Sequence, residues 1–255
     1  MAKSIAVSGK GGTGKTTIAA LLITRLCRLG QTPVLAIDAD PDSNLAPLLG
    51  LNSRKSIGDL REEILQEIKN FPPGMSKPQY VEAGLHQIIE EADGFDLITM
   101  GRGEGAGCYC SLNNMIRKFS DDLTPSYSWV VIDNEAGLEH ISRRTTSNID
   151  ALLIVVSDNP LSLHSAKKIE EITDSLDTRI KNRYLVANMV QDHRLPVIHD
   201  RLSDIGIELL CDIPFDPELE ELIYKGETVK ELNNSPILDH IDEIINKVGG
   251  LNANS

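Results

Sequence analysis

The apolar residues of this 255-residue chain fall in short runs that alternate with segments of helical spacing. Near-continuous apolar runs predict buried strands over residues 4–7, 33–37, 95–99, 129–132, 151–156, 184–187 and 208–213. Helical spacing predicts helices over 14–29, 57–69, 111–119, 161–176, 196–203, 217–224 and 237–248. Apolar strands that alternate with helices predict an α/β fold, in which a mostly parallel, twisted sheet is covered by helices on both faces.

Residues 70–82 interrupt this alternation. They include Pro72, Pro73, Gly74 and Pro78, and this composition predicts an irregular loop or flap. No internal repeat divides the chain, and its length is within the range of one large α/β domain. We therefore expect a single domain over residues 1–255.

Composition and charge narrow the range of partners. The formal net charge is −13 and aromatic residues make up only 4% of the chain, whereas nucleic-acid binding needs clustered basic groups and stacking platforms. No apolar run approaches the ~20 residues of a membrane span, and the polar face of the predicted last helix is acidic. The chain also begins without a secretion signal. We expect a cytoplasmic protein with no nucleic-acid partner and no membrane partner.

The first predicted strand leads into a glycine-rich loop, Gly9-Lys10-Gly11-Gly12-Thr13-Gly14-Lys15-Thr16-Thr17, and the first predicted helix follows. The pattern G-x-x-x-x-G-K-[ST] between a strand and a helix predicts a phosphate-binding loop, because backbone N–H groups and the helix N-terminus attract anionic oxygens. We expect Lys15 to neutralise the β- and γ-phosphates of ATP and Thr16 to ligate Mg²⁺. The ATP contacts predicted here are Gly11, Gly12, Thr13, Gly14, Lys15, Thr16 and Thr17.

Carboxylates follow two of the predicted strands. Asp38, Asp40 and Asp42 come after the second strand, and Asp133 closes the apolar run at 130–132. The carboxyl ends of parallel strands line the crevice where ligands bind in such sheets. We therefore predict that Asp133 is a Walker-B carboxylate beside Mg²⁺, with Asp38 as a further residue near the ion. An Asx-rich turn is the alternative for Asp40 and Asp42.

The phosphate loop carries a second lysine, Lys10, after its first glycine, and it thereby resembles the deviant Walker A loop of the MinD/ParA/nitrogenase-iron-protein superfamily. These proteins are P-loop ATPases that act as dimers. The resemblance implies a homodimer in which Lys10 reaches the partner's nucleotide and is catalytic together with Lys15. It also implies that Asp40 positions and activates the attacking water, and that residues 134–140 form a switch segment.

The same resemblance implies where the base binds. Asn188 follows a predicted strand, as the base-contacting asparagine of the superfamily does, and Pro214 and Asp216 lie in a segment that resembles its second base contact. Asp216 has a simpler alternative, because an aspartate directly before the helix predicted at 217–224 is also a preferred N-cap.

Cys108 and Cys110 form a C-x-C pair on a glycine-rich loop. Two thiolates do not complete a tetrahedral site, but the pairs of two chains related by a two-fold axis would supply four sulfurs. Together with the switch segments, the pair resembles the CooC/AcsF family of nickel-handling ATPases, which mature carbon monoxide dehydrogenase and acetyl-CoA synthase. The resemblance implies Ni²⁺ (or Zn²⁺) on Cys108 and Cys110 at the dimer interface and one of those two enzymes as client. The residues that carry it are Gly105-Ala106-Gly107-Cys108-Tyr109-Cys110, Asp40-Pro41-Asp42-Ser43-Asn44-Leu45 and Asp133-Asn134-Glu135-Ala136-Gly137-Leu138-Glu139-His140.

Three other functions stay open at the level of sequence. An iron–sulfur reductase like the nitrogenase iron protein would need a cluster cysteine in the switch segment, and residues 134–140 contain none. A positioning ATPase of the MinD or ParA kind would not need the C-x-C pair. A metal chaperone that binds ATP as a switch with little turnover would carry the same residues. His140 either stabilises the switch or offers a metal a nitrogen ligand, while Cys27 and Cys211 are predicted to be small buried hydrophobes.

Overall fold

The protein is described by a computed structural model that covers residues 2–52, 55–66, 74, 76–101, 118–119, 121–135, 148–173 and 179–250. Eight strands form one sheet in the order β3-β4-β2-β5-β1-β6-β7-β8. Among the described strands, only β3 is antiparallel to its neighbour, so the predicted, mostly parallel sheet is confirmed. The strands are β1 (Lys3–Gly9), β2 (Val34–Asp38), β3 (Glu90–Glu91), β4 (Phe95–Thr99), β5 (Trp129–Asp133), β6 (Asn148–Val156), β7 (Arg179–Val190) and β8 (Glu208–Pro214).

Helices cover both faces of this sheet. The described helices are α1 (Lys15–Arg28), α2 (Leu45–Leu48), α3 (Ile57–Gln66), α4 (Lys77–Gln87), α5 (Pro160–Thr173), α6 (Leu195–Ser203), α7 (Pro217–Lys225) and α8 (Ile237–Gly249). Side chains of α1, α2, α7 and α8 pack with one face of the sheet, and side chains of α3 to α6 pack with the other. This two-sided burial explains why the central strands β2 and β5 are apolar at nearly every position.

Three elements differ from the sequence-based expectation. The irregular segment predicted at 70–82 is wrong in its second half, because α4 begins at Lys77. Its start is a capping box in which Gln79 Oε1 accepts from the backbone N–H of Ser76 at 3.0 Å, and Pro78 lies in the first turn, where a missing N–H is tolerated. The short elements α2 and β3 were not predicted, since four and two residues are too few for a periodic signal. Of the helix predicted at 111–119, only residues 118–119 are described, and both are helical.

The last helix packs against the core as its apolar spacing predicts. Ile241, Ile244 and Ile245 of α8 are fully buried. A bidentate ion pair joins α8 to α1, with Arg25 Nε and Nη2 each 2.6 Å from a carboxylate oxygen of Asp242. Among the described residues, no helix is long and apolar enough to cross a membrane.

Candidate nucleotide-binding site

The phosphate loop joins the central strand β1 to α1 and folds back on itself. The Thr13 hydroxyl donates to the carbonyl oxygen of Lys10 at 2.8 Å, and the Lys15 ammonium lies 3.5 Å from the same oxygen. Gly12 and Gly14 have φ of 80° and 87°, which side chains of L-residues rarely adopt. Lys15 is buried and forms no ion pair with any described carboxylate. Its charge is therefore available to an anionic ligand beside the loop.

The loop lies directly on the ends of two neighbouring strands. A Cβ atom on Gly9 would lie 2.3 Å from the carbonyl oxygen of Val155, and one on Gly14 would lie 2.4 Å from Asn188 Nδ2. That amide nitrogen donates to the carbonyl oxygen of Thr13 at 2.8 Å. Asn188 therefore holds the phosphate loop in place, a contact that the sequence did not indicate.

Asp38 and Asp133 end adjacent strands and are partners in the register of β2 and β5. The two oxygens of Asp38 each accept a backbone hydrogen bond at 3.1 Å, one from Asp40 N–H and one from Leu45 N–H. Burial raises the pKa of Asp38 to about 6, although the two backbone donors lower it. The Asp38 carboxylate thus fixes the turn that follows β2 and leads into α2.

Asp40 lies in that turn and is half-buried. Its Oδ1 accepts from the backbone N–H of Asp42 at 3.0 Å, and its carbonyl oxygen accepts from Ser43 N–H at 3.0 Å. Ser43 has a φ of 51°, so the turn is tight. The Asx turn given above as the alternative for Asp40 is present, and Oδ2 of Asp40 accepts no hydrogen bond from the described residues.

The Asp133 carboxylate, unlike that of Asp38, accepts no backbone hydrogen bond from the described residues. It is fully buried, and neither carboxylate oxygen has a hydrogen-bond partner among the described residues. Burial raises its pKa to about 7; the Thr16 side chain and the charge of Lys15 lower it, while the charges of Asp38 and Asp40 raise it. A buried, unpartnered carboxylate beside a hydroxyl is a donor set that suits Mg²⁺, which is usually held by one or two carboxylates, phosphate and water. Asp133 and Thr16 thus fit the ion, with Asp38 behind them.

Asn134 is a functional-site residue that the sequence did not single out. It is fully buried, and both its backbone N–H and its side-chain Nδ2 donate to the carbonyl oxygen of Val7, each at 3.0 Å. These bonds tie the start of the predicted switch segment to the strand that carries the phosphate loop. Residues 136–147, and with them most of the switch, lie outside the described residues.

A cavity of about 160 Å³ lies beside the first turn of α1. Its wall includes Asn188, Pro214 and Asp216, the three residues predicted to contact the base, together with Gly14 and Thr17 of the phosphate loop. Asp216 also caps α7, because its Oδ1 accepts from the N–H groups of Glu218 and Leu219 at 2.8 and 3.0 Å, and its Oδ2 accepts from the Ser235 hydroxyl. The remaining wall is mainly apolar and was not predicted: Ile18, Leu21, Met189, Phe215, Leu219, Glu220, Ile223 and Ile237. An apolar cleft with a few polar groups at its edge is typical of a site for an aromatic ring.

The C-x-C pair lies outside the described residues, as does His140. The other two cysteines pack in the core as predicted: Cys211 is buried and Cys27 is half-buried. Burial raises the pKa of the Cys27 thiol to about 11 and that of Cys211 to about 12.

Several known proteins are similar to this chain in sequence, and others are similar to it in fold. A family model described as the CobQ/CobB/MinD/ParA nucleotide binding domain matches residues 4–229. An uncharacterized ATP-binding protein of Methanocaldococcus jannaschii is 40% identical over 247 residues, which cover 96% of this chain and 97% of that protein. The carbon monoxide dehydrogenase accessory protein CooC of Rhodospirillum rubrum is 32% identical over 241 residues, 90% of each chain. The MinD cell division protein of Aquifex aeolicus is similar in structure, with a TM-score of 0.70 and 22% identity over 99% of both chains.

Proposed function

The chain belongs to the CobQ/CobB/MinD/ParA family of P-loop ATPases, and we propose that it couples ATP hydrolysis in a homodimer to the delivery of nickel to carbon monoxide dehydrogenase or acetyl-CoA synthase. The observation that carries the maturation role is the likeness to CooC over nine-tenths of both chains, together with the C-x-C pair at Cys108 and Cys110.

The geometry of the site supports the assignment of the ATP contacts. The phosphates lie against residues 11–17, where Lys15 has no ion-pair partner among the described carboxylates and Thr16 lies in the first turn of α1. The base enters the cavity that Asn188, Pro214 and Asp216 line. Thr16 and Asp133, with Asp38 behind them, would hold Mg²⁺, which would neutralise charge on the β- and γ-phosphates. Lys15 would compensate charge on the phosphate oxygens as the γ-phosphoryl leaves.

Hydrolysis requires two further groups. Asp40 orients the water for in-line attack with the carboxylate oxygen that its Asx turn leaves available. Lys10, half-buried at the start of the loop, reaches the nucleotide of the partner chain. In this proposal, turnover therefore depends on the dimer, whereas binding of the nucleotide to one chain does not.

Nickel is the cargo. Cys108 and Cys110 of two chains supply four thiolates, a set that suits Ni²⁺ or Zn²⁺. Loss of the γ-phosphate changes the turn after β2 and the switch that begins at Asn134, loosens the dimer and releases the ion to the client.

A second candidate is a positioning ATPase, because the family model that matches residues 4–229 also covers MinD and ParA proteins. Such a protein acts at a membrane or on DNA, and the formal net charge of −13 disfavours both surfaces. Sedimentation with anionic vesicles and retention of duplex DNA, each with Mg·ATP, test this candidate. Binding to either surface at physiological salt supports it over nickel delivery.

The test of nickel delivery is metal content and mass in solution. Reduced protein and a Cys108→Ser/Cys110→Ser variant are loaded with Ni²⁺ and freed of excess ion. The nickel content of each is measured, and light scattering gives the molar mass with and without Mg·ATP. One more nickel per dimer in the parent than in the variant supports an intersubunit thiolate site. Equal nickel in both proteins, or none in either, contradicts the maturation role and leaves the ATPase assignment intact.

A further inference from the structure

A second group of metal-ligating side chains lies between the edge strand β8 and the last helix α8. Cys211 of β8 faces His240 and Glu243 of α8, and one donor atom from each lies within 4.8 Å of the others. Cys211 is buried, His240 half-buried and Glu243 exposed. None of the three lines the base cavity, and none has a role in the proposed ATPase cycle.

A β-bulge directs Cys211 toward α8. In the pairing of β7 with β8, Leu185 is opposite Leu209 and Val186 is opposite Cys211, so Leu210 is the extra residue. In a regular strand residues 209 and 211 would share a face. Here Leu209 packs on the α3–α6 face, whereas Cys211 packs on the face that α1 and α8 cover. The bulge therefore re-aims the thiol.

The helix presents the other two donors together. His240 and Glu243 are three residues apart, so they lie on one side of α8, and the buried Ile241 and Ile244 hold the helix against the core. Neither the imidazole nor the carboxylate has a hydrogen-bond partner among the described residues.

The nearby ammonium of Lys247 is already engaged. It pairs with Glu208 at 2.8 Å and lies 5.5 Å from the centre of the Tyr184 ring. Lys247 therefore does not hold the Glu243 carboxylate in an ion pair, and this carboxylate can rotate toward the Cys211 thiol.

We propose that Cys211, His240 and Glu243 bind one divalent transition-metal ion, with Zn²⁺ as the ion that suits the donors best. Zn²⁺ takes sulfur, imidazole nitrogen and carboxylate oxygen as ligands at about 2.0–2.3 Å, which places tetrahedral donors roughly 3.3–3.7 Å apart. A movement of about 1 Å by the His240 and Glu243 side chains closes the site from its present geometry. Three protein ligands leave the fourth position to water, and the bound ion ties α8 to the edge strand.

Stoichiometry separates this site from the C-x-C pair. All three donors belong to one chain, so the site holds one ion per chain whether or not the protein dimerises. The Cys108→Ser/Cys110→Ser protein removes the thiolates of the pair and leaves this site intact. The inference therefore does not depend on the proposed nickel delivery.

The experiment is a Zn²⁺ titration of the reduced Cys108→Ser/Cys110→Ser protein against a chromogenic chelator, without nucleotide. We expect one Zn²⁺ per chain, and at least about 100-fold weaker binding after either His240→Gln or Glu243→Gln. His164→Gln, which changes an exposed histidine on α5, is the matched control and is expected to bind as its parent does. Equal melting temperatures of the metal-free proteins confirm that the variants are folded.

Co²⁺ gives a second readout of the thiol. A sulfur-to-cobalt charge-transfer band in the parent, absent in Cys211→Ala, supports ligation by Cys211. The proposal is overturned if the parent does not bind one metal ion per chain. It is also overturned if the His240 and Glu243 variants bind as tightly as the parent, or if the parent shows no sulfur-to-cobalt band. If Cys211→Ala fails to fold, the band in the parent and the His240→Gln titration decide the question.

Discussion

Asp133→Asn tests the electrostatic state of the candidate site. Burial raises the pKa of Asp133 from 3.8 to about 7, and an unfolded chain returns it to its ordinary value. Between these two pH values the folded protein holds a proton that the unfolded chain has released. Because the pKa of Asp133 is higher in the folded state, its protonation contributes to the free energy of unfolding. That contribution is fully present below pH 3.8 and is lost as pH rises through about 7. Asparagine is uncharged at every pH and lacks this dependence.

The magnitude follows from the two pKa values. The difference between 3.8 and about 7 corresponds to roughly 4 kcal/mol, at about 1.4 kcal/mol for each tenfold change in proton affinity. The charge of Asp38 is one cause of the shift, and its own pKa is raised to about 6, so the two carboxyl groups titrate together. We expect Asp133→Asn to raise the free energy of unfolding by about 2–4 kcal/mol at pH 8 and to change it little at pH 4.

The assay is urea unfolding of the nucleotide-free protein in a chelating buffer at pH 4 and pH 8. The difference between variant and parent is compared at the two pH values, so contributions from carboxylates that do not interact with Asp133 cancel. Asp42→Asn, in an exposed part of the same turn, is the control and is expected to show no change at either pH. A gain that is equal at both pH values, or absent at pH 8, refutes the reasoning. Mg·ADP is expected to reduce the advantage of the variant at pH 8, because a cation beside Asp133 favours the charged form and the parent therefore gains more stability than the variant.

Two further predictions concern the phosphate loop and catalysis. Gly14→Ala places a Cβ 2.4 Å from Asn188 Nδ2 at a φ of 87°. We therefore expect a loss of about 1–3 kcal/mol in unfolding free energy and at least tenfold weaker ADP binding in a fluorescent-nucleotide titration. Gly11→Ala, with nothing within 4 Å of its Cβ, is the control for the denaturation measurement. Similar losses in both variants would rule out the close packing of Gly14. Lys10→Ala and Asp40→Ala are each expected to abolish phosphate release and to keep ADP affinity within a few-fold, and normal hydrolysis by either one removes the role proposed for that residue.

The sheet was predictable because its central strands are buried on both faces. Each residue of β2 and β5 is buried, and such strands appear in the sequence as unbroken apolar runs. The start of α4 was not predictable in the same way, because Pro78 is usually a sign of a break. In this chain it occupies the first helical turn behind the Ser76–Gln79 capping box, where proline is compatible with a helix.

The candidate site was predictable as a set of residues, and its division of roles was not. An aspartate at the end of a parallel strand predicts a place in the crevice, and the register of β2 and β5 brings Asp38 and Asp133 together there. Which carboxylate receives hydrogen bonds depends on the course of the chain after each strand. The turn after β2 returns the N–H groups of Asp40 and Leu45 to Asp38, whereas the chain after β5 directs the Asn134 donors to Val7. Asp133 is thereby left without a donor among the described residues, so a cation fits there rather than at Asp38.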